Sequence, residues 1–269
     1  MLEKNHPERM DTPADPFAAL IELHRGLARQ GPGDADFTRA LLDSLPELPA
    51  KPRIADLGCG SGDASLLLAT RFQGATVRAV DLSDVFLGAL RARADAAGLS
   101  GRIEPIRCDM AALPWTPGAI DLLWSEGAAY TLGFEHALRL WRPLLAESGY
   151  AVVSEISWFT GHPASAAVEY WRSAYPGMAD EAENRARAQR AGYRVLDTRR
   201  LPSGAWWDNY YGPLRRRIAE LHDIPALQAV IQETRDEMDL FERFSDDYGY
   251  TFYLLGANGS TVAPLSRAS

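Results

Sequence analysis

Cysteine is nearly absent from this chain, with only Cys59 and Cys108 among 269 residues. Two cysteines cannot build a disulfide framework, and they lack the paired spacing of a metal site, so no metal is expected and a reducing cytoplasm is the natural setting. Long apolar runs are missing too. No segment approaches roughly 18 uncharged apolar residues, and the opening MLEKNHPERMDTPADP has no apolar centre, so neither a membrane span nor a signal peptide is expected. Positive charge is the third shortage: 28 Lys and Arg against 36 Asp and Glu leave a formal charge of −8. A field of that sign repels polyanions, which argues against nucleic acid as a partner. The one compact basic cluster, Arg215-Arg216-Arg217, reads as a solvated helix face.

Short apolar strands alternating with helices fill the middle of the chain. Strands are expected at 53–57, 76–81, 103–109, 120–125 and 150–155, and this alternation argues a doubly wound, mostly parallel sheet. Ligands then sit at the carboxyl ends of the strands. Before the sheet, Phe17, Leu20, Ile21, Leu23, His24 and Leu27 recur at helical spacing, and Phe37, Leu41, Leu42 and Leu45 mark a second helix. After it, an aromatic-rich helical region from 157 to 192 precedes a strand at 193–200, helices span 207–243, and YGYTFYLL reads as the last strand. The expected organisation is a disordered lead-in over 1–15, an N-terminal helical lid over 16–50, an α/β core over 51–156, a helical cap over 157–247, and a last strand with a tail over 248–269.

The loop ADLGCGSGDAS follows the first strand. Gly58 and Gly60 fit the dinucleotide fingerprint G-x-G-x-x-G, but Asp63 stands where its third glycine belongs. An aspartate at a helix start repels a pyrophosphate, which disfavours an NAD-dependent oxidoreductase. Asp81 closes the second strand, where a carboxylate can accept both hydroxyls of a ribose. Asp109 closes the third and can accept from an adenine amine, with Leu82 and Met110 covering the ring faces. Together these describe an adenosine binder that needs no phosphate.

Through ADLGCGSG, AVDLS, RCDMAALPW and IDLLWSEGA the sequence resembles the class I S-adenosylmethionine-dependent methyltransferases. The resemblance implies their Rossmann-like fold with a seven-stranded sheet, S-adenosylmethionine as cofactor and S-adenosylhomocysteine as product. It implies that Gly58 and Gly60 approach the methionine portion, that Asp56 helps hold the amino group, and that Asp81 and Asp109 hold ribose and adenine. Ser125 joins the cofactor side, and Gln30, in the turn Gln30-Gly31-Pro32-Gly33, folds over it as a lid. GPG as a plain turn is an equal reading, and the role of Asp63 stays open.

Glu126 and Glu155 follow the fourth and fifth strands and should point toward the transferable methyl, with Tyr130 beside them. A glutamate at a strand end can instead cap a helix. Trp158, His162, Trp206, Trp207 and Tyr210 are the acceptor candidates, although His162 also suits an exposed turn and consecutive tryptophans cannot both face inward. The expected function is methyl transfer to a small molecule, with an amine favoured by the acids and rings and a phenol or thiol as competitor. A non-catalytic cofactor-binding sensor or scaffold is the rival from another class, and a homo-oligomer is left open.

Overall fold

The computed structural model describes residues 15–257. Of the lead-in expected over 1–15, residues 1–14 lie outside the described residues, as does the tail after 257. Two helices come first, α1 (Pro16–His24) and α2 (Ala35–Asp43). Side-chain oxygens start both: Asp15 accepts from Phe17 N and Asp34 from Phe37 N, satisfying amides that the first turn leaves open.

The sheet then builds in order. β1 (Arg53–Leu57) leads through the glycine loop into α3 (Asp63–Arg71). β2 (Thr76–Asp81), α4 (Asp84–Ala96), β3 (Ile103–Arg107), β4 (Ile120–Ser125), α5 (Phe134–Trp141) and β5 (Leu145–Trp158) come next. Beyond β5 lie α6 (Ser165–Ala174), β6 (Ala179–Asp180), α7 (Glu181–Arg190), β7 (Tyr193–Arg200), α8 (Ser203–Trp206), α9 (Gly212–Leu221), α10 (Gln228–Phe244) and β8 (Tyr248–Ala257). Strand order is β3-β2-β1-β4-β5-β8-β7, with β6 beside β5. β8 runs antiparallel to both neighbours and the other pairings are parallel.

Successive residues of a strand point to opposite faces, and the core divides accordingly. Ile54, Val77, Leu122, Trp124, Val152 and Phe252 pack under α1 to α4 and the late helices. Ala55, Leu57, Val80, Leu123, Val153 and Tyr253 pack against α5 and α7. The central strands are apolar on both faces, as a sheet covered on both sides requires.

The seven expected strands are present, and the departures are local. β5 starts at Leu145 rather than 150, with a register shift against β4 between Ile120 and Leu122. The region expected to be helical over 157–192 is interrupted by β6, which pairs Ala179 and Asp180 with Ser157 and Trp158. The late helices break where Pro225 opens a short 3-10 turn, because proline cannot donate to the preceding turn. Between α8 and α9 the chain adopts a π-helical turn at Trp207–Tyr211, a form concentrated at functional sites. Among the described residues, no helix is long and apolar enough to cross a membrane.

Candidate functional site

A cavity of about 430 Å³ opens at the carboxyl ends of β1, β2 and β4, with residues 28–32 over it. Its floor is the glycine loop. Gly58, Gly60 and Gly62 all have positive φ (74°, 53° and 87°), a conformation that costs glycine little. The bare faces of the loop are filled from within the protein. A Cβ at Gly58 would overlap Ala128, one at Gly60 the Gln30 amide, and one at Gly62 the side chain of Leu90. Gln30 Oε1 accepts from Ser61 N at 2.7 Å, so the 30–33 segment lies against the loop.

Three strand-end acids border this space. Asp81 accepts from Gly60 N (2.9 Å) and Ser83 N (2.8 Å), which aims the carboxylate across the loop; burial nonetheless pushes its pKa upward. Asp56 is buried and accepts from Ser65 Oγ at 2.6 Å, and desolvation raises its pKa to about 7. Asp109 is more exposed and is set by Ala111 N at 2.8 Å. Leu82 and Met110 line the same cavity, as do Gln30, Gly58, Gly60 and Glu126. Ser125 does not join them: it is fully buried and its hydroxyl donates to the Leu57 carbonyl.

Glu126 is not the free carboxylate that its strand-end position suggested. Arg29 Nη1 donates to its Oε1 at 2.8 Å, and Trp124 Nε1 approaches Oε2 at 3.3 Å. Arg29 also pairs through Nε with Asp63 at 2.8 Å, and Arg93 reaches the other oxygen of Asp63. The aspartate left unassigned by the sequence is thus the hinge of a four-membered ionic strap. Arg29 Nη2 is buried and has no hydrogen-bond partner among the described residues.

Glu155, Tyr130, Trp158, His162, Trp206, Trp207 and Tyr210 all lie outside the lining of this cavity. Glu155 is 1% exposed with neither oxygen hydrogen-bonded in normal geometry; Tyr175 is near enough to influence it, but desolvation dominates and raises its pKa to about 8. Tyr130 keeps 42% of its surface and meets Tyr175 edge-on. Tyr210 stacks on His24. Trp206 is core, stacked on Phe241 with centroids 4.2 Å apart, whereas Trp207 is half-buried under Arg215. Trp158 packs edge-on against Tyr248. His162 is exposed in a turn, its backbone held by Thr160, and joins no site.

Arg29, His24, Glu237 and Tyr250 escaped the sequence reading. For Arg29 a weak signal existed, a basic residue just before the GPG turn. His24 was counted only as an inward helix position, and Glu237 lies in the charged run ETRDEMD, which resembles a solvated face.

Residues 54–149 match a family described as a methyltransferase domain. Over 115 residues the chain is 36% identical to a trans-aconitate 2-methyltransferase of Streptomyces avermitilis, covering 35% of this chain and 43% of that protein. Over 108 residues it is 38% identical to the enzyme of the same description from Rhizobium meliloti, covering 40% and 38%. The matched part is thus less than half of either relative. The fold extends further. A methyltransferase from Geobacter sulfurreducens, solved with S-adenosylhomocysteine, superposes with a TM-score of 0.73 at 19% identity, over 91% of this chain and 99% of that one. The E. coli protein YjhP superposes with a TM-score of 0.75 at 21% identity, over 89% and 99%. Residues 54–149 of this chain are thus a methyltransferase domain, set in a fold shared with solved S-adenosylmethionine-dependent methyltransferases.

Proposed function

We propose that this protein transfers a methyl group from S-adenosylmethionine to a small-molecule acceptor, and that the acceptor atom is an amine nitrogen. The observation that carries the reading is the cavity itself, where Asp56, Asp81 and Asp109 meet over a glycine loop beneath a buried arginine with one nitrogen unpaired among the described residues. Those groups match a zwitterion joined to a nucleoside: Asp81 for the ribose hydroxyls, Asp109 for the adenine amine, Asp56 for the ammonium and Arg29 Nη2 for the carboxylate. When bound, the cofactor supplies a methyl group already activated by positive sulfur.

The protein's own part is to orient the acceptor, exclude water and remove a proton. Residues 28–33 close the cofactor side. We take Glu155 as the group that receives the proton, a reading supported by its burial, which raises its carboxyl to about 8, a proton affinity nearer that of an amine than an ordinary carboxylate has. Once ionised to act as a base, the same acid, among aromatic rings, disfavours an anionic acceptor. The trans-aconitate relatives would therefore differ from this protein in acceptor while sharing the cofactor half.

The test is to incubate purified protein with S-adenosylmethionine and matched sets of amines, phenols, thiols and carboxylates, following S-adenosylhomocysteine. Turnover of amines, rising with pH as Glu155 ionises, is expected. Turnover of phenols or thiols with amines inert would move the acceptor atom to oxygen or sulfur. Failure to bind the cofactor at all would remove the activity.

A further inference from the structure

Beside the cavity, α1, the π-helical turn and α10 bring together a second group of polar side chains, and its hydrogen-bond polarity follows from two fixed donors. His24 on α1 is buried, and its Nδ1 lies 2.9 Å from the Leu20 carbonyl. Only an N–H can serve a carbonyl, so Nδ1 carries the ring proton. Burial lowers the pKa of His24 and keeps the ring neutral, which leaves Nε2 bare. Nε2 stands 3.0 Å from the Tyr210 hydroxyl, and Tyr210 must donate to it. The only hydrogen on that phenol is therefore spent, and its oxygen offers lone pairs alone.

The next residue repeats the arrangement. Tyr211 donates its hydroxyl hydrogen to Glu237 Oε1 at 2.6 Å, and the two tyrosine rings lie 5.1 Å apart. Glu237 has no ion pair among the described residues, and Tyr211 is its only hydrogen-bond partner there. Burial raises its pKa, and its charge bears on Tyr130, Tyr210 and Tyr250. Glu155 bears on Tyr130 and Tyr250 from the opposite side. The cation that influences Glu155, Arg187, is committed to Glu183, Asn184 and the Gly177 carbonyl.

This group adjoins the cofactor cavity. A Cβ on Gly127, which lines the cavity, would sit 3.4 Å from the Tyr250 hydroxyl. Tyr130, which Glu237 and Glu155 both influence, keeps 42% of its surface. The result is a setting with two carboxyls, aromatic faces and one phenol, that of Tyr210, held as an acceptor. Burying an anion without a counter-charge is costly unless a ligand brings one. Ring faces attract the same sign of charge.

We propose that Glu237 and Tyr210 form a cation-binding site that holds an ammonium group of the acceptor, with Glu237 supplying the charge and the Tyr210 oxygen accepting an N–H. The proposal rests on this group lying on the acceptor side of the methyl-transfer site, and it adds the anchor that selects the acceptor.

The experiment uses three small probes of similar shape, n-propylammonium, propan-1-ol and propionate, titrated into protein saturated with S-adenosylhomocysteine and followed by tyrosine fluorescence. Saturable binding is expected for propylammonium alone. Glu237→Gln keeps an acceptor for Tyr211 but removes the charge, and should weaken propylammonium by at least about tenfold while S-adenosylhomocysteine affinity holds. Tyr210→Phe, which leaves the Tyr211–Glu237 bond intact, should weaken it by about threefold or more and serves alone if the glutamine variant does not fold. Equal binding of propionate, unchanged affinity in either folded variant, or no saturation by propylammonium would overturn the site. If S-adenosylhomocysteine fails to bind the wild type, the methyl-transfer reading falls separately, and the same titration in free protein still decides the cation site.

Discussion

Arg29 and Glu126 meet at 2.8 Å, both side chains 9% exposed, across 97 residues of sequence. That pair joins the segment after α1 to the end of β4, and removing one member strands the other in a place with little water. A half-broken buried pair typically costs about 3–5 kcal/mol. Arg29→Met and Glu126→Gln should therefore each lower the melting temperature and weaken S-adenosylmethionine binding, and the double variant should lose less than the sum of the two. Thermal unfolding and calorimetric titration measure both. Were Glu126→Gln to bind cofactor normally and lose only turnover, the glutamate would be a proton acceptor and not part of a strap.

Gly33 tests the same contact from its backbone. A Cβ there would overlap the guanidinium of Arg29 and the carboxylate of Glu126, while Asn209 of the π-helical turn holds the Gly33 carbonyl at 3.0 Å. Gly33→Ala should push the segment off the cavity and reduce cofactor affinity about tenfold, with a smaller change in stability. Gly31→Ala, where a Cβ meets nothing within 4 Å, should be close to neutral. Equal titration curves for the two alanine variants would remove the covering role of this segment.

Asp81 is held by two amides but keeps lone pairs toward the cavity. A hydrogen bond to a charged group contributes about 1.5–3 kcal/mol, so Asp81→Ala should weaken cofactor binding by about tenfold to a hundredfold. Calorimetry showing wild-type affinity in the folded variant would take the ribose away from this residue.

Glu155 makes stability depend on pH in a stated direction. Its folded pKa is about 8, above its unfolded value of about 4.3, so between the two the native state binds more protons than the unfolded state. Its contribution is complete on the acid side and is lost as pH rises through 8. Each pH unit of separation corresponds to about 1.4 kcal/mol. Without ligands, the wild-type melting temperature should fall relative to Glu155→Gln between about pH 5 and about pH 8.5. Asp56, raised to about 7, acts in the same sense, and the glutamine variant removes only part of the slope. Parallel profiles for the two proteins would mean that Glu155 is solvated.

The cofactor half was legible because its signals are local. An apolar strand, a glycine turn and an acid succeed one another within a few residues, so the strand ends at Asp56, Asp81 and Asp109 could be placed from alternation alone. The acceptor half depends on pairs far apart in sequence. His24 meets Tyr210 across 186 residues, and Glu237 becomes an interior acid only because α10 turns that one position of a charged run toward Tyr211. Glu126 misled for the same reason: its strand-end position was visible, but Arg29 was not. Trp206 and Trp207 separate as adjacent helix positions must, one into the core and one beneath Arg215.

The π-helical turn at Trp207–Tyr211 sets phase as well as shape. A π-helical turn takes up one residue more than an α-helical turn through its i→i+5 bonds, so deleting Asp208 would let it return to regular winding and change the directions in which the residues left in it point. Tyr210 could not then face His24 while Tyr211 faces Glu237. The pairing of Tyr210 with His24 and of Tyr211 with Glu237 is therefore exposed to a single-codon deletion that leaves all four residues in the sequence.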